Sequence, residues 1–156
     1  MEYIEAPNTK YPPHKLCLFL GGSITGCPNW QNDAVKKLKD LDIVIFNPRR
    51  KNFDVKDPTA SEKQIKWEYN MLRAADMICF WFSKETLAPI VLFELGAHSM
   101  TTKPITIGMD PQYQRKQDVE IQMSLERPDI PITYSIDDFV DSIKNMVEDT
   151  KDRYSC

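Results

Sequence analysis

Three short, unbroken apolar runs and a fourth with one threonine limit what this chain can fold into: residues 16–20 (LCLFL), 43–46 (IVIF), 77–82 (MICFWF) and 105–107 (ITI). None is long enough for a buried helix. Strands covered on both faces of a parallel sheet read this way. The first run stops at Gly21-Gly22, the second at Asn47-Pro48-Arg49-Arg50, and the fourth at Gly108. Pro48 cannot donate to a ladder, so the second strand must end there.

The stretches between the runs have helical spacing. Trp30, Ala34, Leu38 and Leu41 make one inward stripe, with Pro28 suited to a first turn. Thr59-Ala60-Ser61-Glu62 has the pattern of a capping box and predicts a helix whose inner stripe is Ile65, Tyr69 and Leu72. Pro89 opens another helix. Ser135 and Asp138 cap a last one, with Ile136, Phe139, Val140, Ile143 and Val147 inward. Residues 1–14, with Pro7, Pro12 and Pro13, read as an irregular arm. Residues 110–129 read as polar with a short helix, 130–133 as a short fifth strand, and the chain after Glu148 as a frayed tail. Strands alternating with helices predict a single α/β domain over residues 1–156. Its expected architecture is a three-layer sandwich with a parallel five-stranded sheet, flavodoxin- or Rossmann-like.

Composition narrows the function. The chain has 156 residues, is 42% hydrophobic and 28% charged, and carries a formal net charge of −3. Nothing in it resembles the broad basic field of a duplex-binding protein, and no run approaches a membrane span. The start, Met-Glu-Tyr-Ile-Glu, lacks the basic and apolar regions of a secretory signal. The expected location is therefore cytoplasmic, with no nucleic-acid or membrane partner. The four cysteines, Cys17, Cys27, Cys79 and Cys156, have no CxxC spacing and read as reduced thiols. Neither they nor the two histidines form a metal motif, so no metal and no cofactor is expected.

In sheets of this kind ligands bind beyond the carboxyl ends of the strands. The segments 21–28, 47–53 and 83–94 therefore converge on one crevice. Glu94 interrupts the apolar stretch Ile-Val-Leu-Phe-Glu-Leu-Gly-Ala. A carboxylate there needs a partner, a raised pKa or a chemical task. Glu68 borders the stripe of its helix and offers a second acid at the same mouth, or a solvated flank. Gly21, Gly22 and Ser23 either bring backbone amides close to a ligand or make a tight strand-to-helix turn. Asn47 ends its strand at the crevice. Arg49 and Arg50 suit a phosphate or carboxylate, a solvated surface, or an ion pair between subunits. Trp30, Phe53 and Trp81 can stack on a flat ring or fill the core. His98, one turn beyond Glu94, either touches that carboxylate or is a structural histidine.

Taken together, three segments resemble the nucleoside 2-deoxyribosyltransferase family and the related nucleotide N-glycosidases. They are Phe-Leu-Gly-Gly-Ser-Ile-Thr-Gly at 19–26, Glu68-Tyr-Asn-Met-Leu-Arg-Ala-Ala-Asp76, and Pro-Ile-Val-Leu-Phe-Glu94-Leu-Gly-Ala. Asn47-Pro-Arg-Arg, and Phe80-Trp-Phe with Glu85-Thr86, resemble the subfamily called deoxyribosyltransferase-like. The resemblance implies that Glu94 attacks C1′ of a 2′-deoxyribonucleoside and that Glu68 assists the departing base. A second base, or water, then takes the sugar. It also implies that Gly21, Gly22, Ser23, Trp30, Asn47, Arg49, Phe53 and Glu85 surround the substrate, without a cofactor.

The chain departs from the family pattern at several places. Glu68 stands where members carry aspartate, and Phe19 where transferases have a helper tyrosine. Ala88 stands where they have an aspartate for the 5′-hydroxyl, so Glu85 is the candidate replacement. The phosphate-gripping residues of the nucleotide-cleaving relatives match Thr25 and Ala88 here, although Ser23 is kept. The alternatives are thus an N-glycosidase on a nucleotide or NAD, or a non-catalytic nucleotide-binding module. Family members are homo-oligomers with shared sites. A dimer or larger assembly is expected, with the segment 113–124, including Arg115, Asp118 and Gln122, reaching across.

Overall fold

The computed structural model describes residues 1–52 and 56–154. Its elements, in chain order, are β1 (Glu2–Glu5), β2 (Cys17–Gly22), α1 (Trp30–Lys37), β3 (Val44–Asn47), α2 (Ala60–Ala74) and β4 (Met77–Phe82). There follow α3 (Pro89–Ser99), β5 (Ile105–Met109), α4 (Lys116–Glu126), β6 (Ile132–Thr133) and α5 (Ile136–Tyr154). Among the described residues the strands form one 6-stranded sheet in the order β1-β3-β2-β4-β5-β6, parallel throughout. The flavodoxin-like α/β sandwich is as expected, but the sheet has six strands rather than five.

The extra strand is β1, which the sequence reading assigned to an irregular arm. Its prolines all lie after Glu5, so nothing prevents residues 2–5 from pairing in register with β3, from Glu2 opposite Val44 to Glu5 opposite Asn47. The tail also differs from expectation. α5 continues through Tyr154, with Thr150 buried and its hydroxyl donating to the Met146 carbonyl. The charges after Glu148 belong to the outer face of a helix rather than a frayed end.

The sheet divides the apolar residues into two cores. On one face α1 and α5 pack Trp30, Ala34, Leu38, Phe139, Val140, Ile143 and Val147 against the strands. On the other, α2, α3 and α4 contribute Trp67, Met71, Leu72, Val91, Leu95, Val119 and Met123. The stripe predicted for α2 is only partly right. Leu72 is buried, but Ile65 and Tyr69 are 64% and 55% exposed, and Trp67 and Met71 face inward instead. The helix starts at Ala60 as predicted, yet the Thr59 hydroxyl makes no capping bond and donates to Asp57. At α5 the predicted cap forms, with the Asp138 amide donating to Ser135 Oγ at 3.1 Å. No helix among the described residues is long and apolar enough to cross a membrane.

Candidate active site

The chain moves outward from β2 to β3 in one direction and from β4 to β5 in the other, so the order reverses between β2 and β4. Such a reversal leaves a crevice at the carboxyl ends of the two central strands. The loops after them are tied together there. The Ser23 amide donates to the Trp81 carbonyl at 3.0 Å, and the Ser83 amide donates to Ser23 Oγ at 3.2 Å. Gly22 is demanded by this closeness. Its φ is +149°, and a Cβ on it would stand 2.5 Å from the Trp81 carbonyl oxygen.

From this crevice a cleft of about 580 Å³ extends between α2 and α3. Gly21, Gly22 and Ser23 line its sheet end, with Pro48 and Ala88 beside them. Glu68 from α2 and Glu94 from α3 line its middle, and Arg73 and His98 line its far end. Most of the remaining wall is apolar: Ile65, Tyr69, Ile90 and Phe93. Because α3 borders the cleft, it is not buried all round. Val91, Leu95 and His98 face inward, whereas Phe93 is 74% exposed.

The two carboxyls sense each other. Burial pushes Glu94 up to about 8, and the negative charge of Glu68 adds to the rise. Glu68 is also raised by burial, but a hydrogen bond from Gln64 and the positive charge of Arg50 oppose that. Of the two acids, only Glu68 has neighbours that favour its ionised form. His98 is pressed toward its neutral form, first by burial and then by Lys103 and Arg73. Its Nδ1 is buried without a hydrogen-bond partner among the described residues.

Ala88, the residue before α3, has a left-handed backbone with φ 47°, an unfavourable conformation for any residue with a Cβ. The turn is held from both sides. The Ala88 amide donates to the Thr86 hydroxyl at 3.3 Å, and the buried Tyr113 donates its hydroxyl to the Leu87 carbonyl at 2.7 Å. Tyr113 thus belongs beneath the loop that launches α3. Of the other residues in the segment expected to reach across, Arg115 and Asp118 pair with each other at 2.9 Å, and Gln122 lines a separate groove between α3 and α4.

The structure does not bring every predicted site residue to the cleft. Trp30 is 3% exposed, its ring packs against Trp81 and Phe139, and its Nε1 donates to the Ser23 carbonyl. It supports the glycine loop from beneath and offers no face to a ligand. Asn47 is buried, donating to the Tyr3 hydroxyl and accepting from the Arg49 amide. The Arg49 guanidinium is spent on the carbonyls of Pro28 and Cys27 and on Gln31 Oε1, tying down the loop before α1. Glu85 is exposed and lies outside the cleft lining. Phe53 lies outside the described residues. The sequence reading missed the apolar walls. Their signal was present in Ile65 and Tyr69, which have helical spacing but face the cleft.

Residues 15–113, which include the glycine loop and both carboxylates, match the family described as nucleoside 2-deoxyribosyltransferase like. The chain belongs to that family. No curated relative matches it. In this nucleoside 2-deoxyribosyltransferase-like protein, the matched region supplies both walls of the cleft: the β2 loop and α2 on one side, α3 on the other. Among the described residues no group of three His, Cys, Asp or Glu side chains is arranged to hold a metal ion.

Proposed function

We propose that this protein cleaves the N-glycosidic bond of 2′-deoxyribonucleosides and transfers the sugar to a second nucleobase. The observation that carries this reading is the carboxyl pair, Glu94 and Glu68, on two helices of one apolar-walled cleft, with Glu94 pushed up to about 8 by burial and by the charge of Glu68.

The proton count fits the chemistry. As the C1′–N bond breaks, its electron pair goes to the base nitrogen, which must gain a proton. The proton held on Glu94 in the empty cleft passes to Glu68 and then to the base. Glu94, now a carboxylate, forms an ester bond to C1′. The transition state has oxocarbenium character, and the carboxylate stabilises its positive charge. A 2′-hydroxyl would withdraw electrons from that cation, so a deoxy sugar fits best. Attack by a second base reverses the steps and returns the proton, giving ping-pong kinetics and retention of the anomer.

The apolar rim supports a further part of this proposal. Ile65, Ile90 and Phe93 remain exposed at the cleft mouth, an arrangement that favours cover by a second copy of the chain. A homodimer or larger assembly with shared sites is the expected state. A monomer by light scattering at micromolar concentration would remove that part alone.

The test is a donor–acceptor panel. Deoxyadenosine, deoxycytidine, thymidine and deoxyuridine are each incubated with a different free base, and products are followed by chromatography beside Glu94→Ala. A new nucleoside made only by the unaltered protein is the expected result. Free base without a new nucleoside would make the protein a hydrolase. No turnover of any donor would overturn the proposal in favour of a nucleotide or NAD substrate, or a binding module.

A further inference from the structure

Gln64 stands one helical turn before Glu68 on α2, behind two residues that line the cleft. Its Nε2 donates to the Pro48 carbonyl and to Glu68 Oε1, each at 2.8 Å. Both hydrogens of the amide are thereby used. The remaining polar atom, Oε1, is buried and has no hydrogen-bond partner among the described residues. Turning the amide over would not help. It would set Oε1 against a carbonyl and a carboxylate, both acceptors. The orientation is therefore forced, and the unpaired acceptor is its consequence.

A buried acceptor without a partner is unfavourable and calls for a reason. Packing does not supply one, since leucine or methionine fills similar space with no polar atom to satisfy. What an amide adds is the bridge itself. It joins the acid on α2 to the Pro48 turn at the end of β3. It also occupies Oε1 of Glu68, leaving the other carboxylate oxygen for a ligand.

We infer that Gln64 is a positioning residue: it clamps the Glu68 carboxylate to the Pro48 turn, opposite Glu94. The inference deepens the proposed function and rests on it for its catalytic consequence. Among the described residues, the charged or titratable groups around Glu68 are Arg50 from the loop after β3, Glu94 and His98 from α3, and Tyr69 and Arg73 from its own helix. Arg50 and the Gln64 hydrogen bond both favour the carboxylate, and burial opposes them. Removing the Gln64 donor leaves Arg50 alone against burial, so Glu68 takes up a proton more readily.

The experiment titrates the full chain with ¹³C-labelled glutamate side chains by NMR, comparing the unaltered protein with Gln64→Leu and Gln64→Met. Glu68→Gln assigns the signal. Having two variants keeps the test usable if one fails to fold. The expected result is a Glu68 midpoint higher by about one pH unit, a tenfold gain in proton affinity. The acid limb of the kcat/KM profile for the best donor should move up with it. A Glu68 midpoint that stays put or falls overturns the inference even if the enzyme turns over normally. A raised midpoint in a protein that turns over no donor upholds the clamp and sinks the proposed function instead.

Discussion

The two faces of the sheet both carry an apolar core and use it differently. Beneath α1 and α5 the layer is closed. Phe139, Val140, Ile143 and Val147 are at most 1% exposed, and among the described residues no Asp, Glu, Lys or Arg is buried with them. Across the sheet, α2 and α3 leave Ile65, Ile90 and Phe93 in the open and place two carboxyls between them. The closed face gains the full benefit of burial. The open face gives some of that up, holds two acids out of free water, and strains the backbone at Ala88. A fold selected for stability alone would have no use for the second arrangement, and this contrast is the reason the proposed chemistry is assigned to the open face.

The largest effect that can break this contrast is at Glu94. Glu94→Ala should lower turnover at least about 10³-fold while leaving the circular dichroism spectrum unchanged. Retained turnover would mean that the open face is not the site. Next is the closed face. Phe139→Ala should lower stability to urea by about 3–5 kcal/mol, as large cavities in tight cores do. A small loss would show that this layer is less closed than its burial indicates.

Protonation sharpens the contrast. Glu94 holds its proton more tightly folded than unfolded, so the folded state is favoured at low pH. That advantage is lost as pH rises from the ordinary carboxylate range through about 8. Glu94→Gln should therefore become progressively more stable than the unaltered protein between pH 5 and pH 9, and equal stability throughout would contradict the shift. Activity should be bell-shaped. It falls above about 8, where Glu94 has lost its proton, and falls again at low pH, where Glu68 is protonated.

Smaller effects follow. Tyr113→Phe leaves the Leu87 carbonyl without its partner and should cost about 1 kcal/mol. Ala88→Gly relaxes the left-handed turn and should recover a similar amount in the same background. Simple additivity of the two changes would show that the clasp and the turn are independent. The least change in stability is expected at Phe93→Ala, within about 0.5 kcal/mol for the isolated chain, whereas self-association measured by light scattering should weaken.

The same contrast explains what could be read from the residues. Most of the α1 and α5 stripes were legible because a closed layer follows helical periodicity, although Leu41 falls beyond α1 and, like Ile136, is only partly buried. The stripe of α2 was misjudged because Ile65 and Tyr69 are apolar for the sake of a cleft, and periodicity does not distinguish core from cavity. Glu94 stood out because nothing but apolar residues surrounds it in sequence. Trp30, Asn47 and Arg49 lie at or beside the loops that edge the crevice, but their partners, Ser23, Tyr3 and Gln31, come from elsewhere in the chain, so only the fold reveals that they are already occupied. Gln64 carried no sequence signal at all. Its role depends on Pro48 being brought beside α2.

The central claim is that Glu94 becomes esterified to the sugar. The most direct test is mass spectrometry of the intact protein and its peptides, quenched during turnover of a 2′-deoxyribonucleoside without an acceptor base. The account predicts a deoxyribosyl adduct on the peptide containing Glu94, absent from Glu94→Ala and discharged when a free base is added. An adduct on another residue, or base release with no adduct at any time, would contradict it.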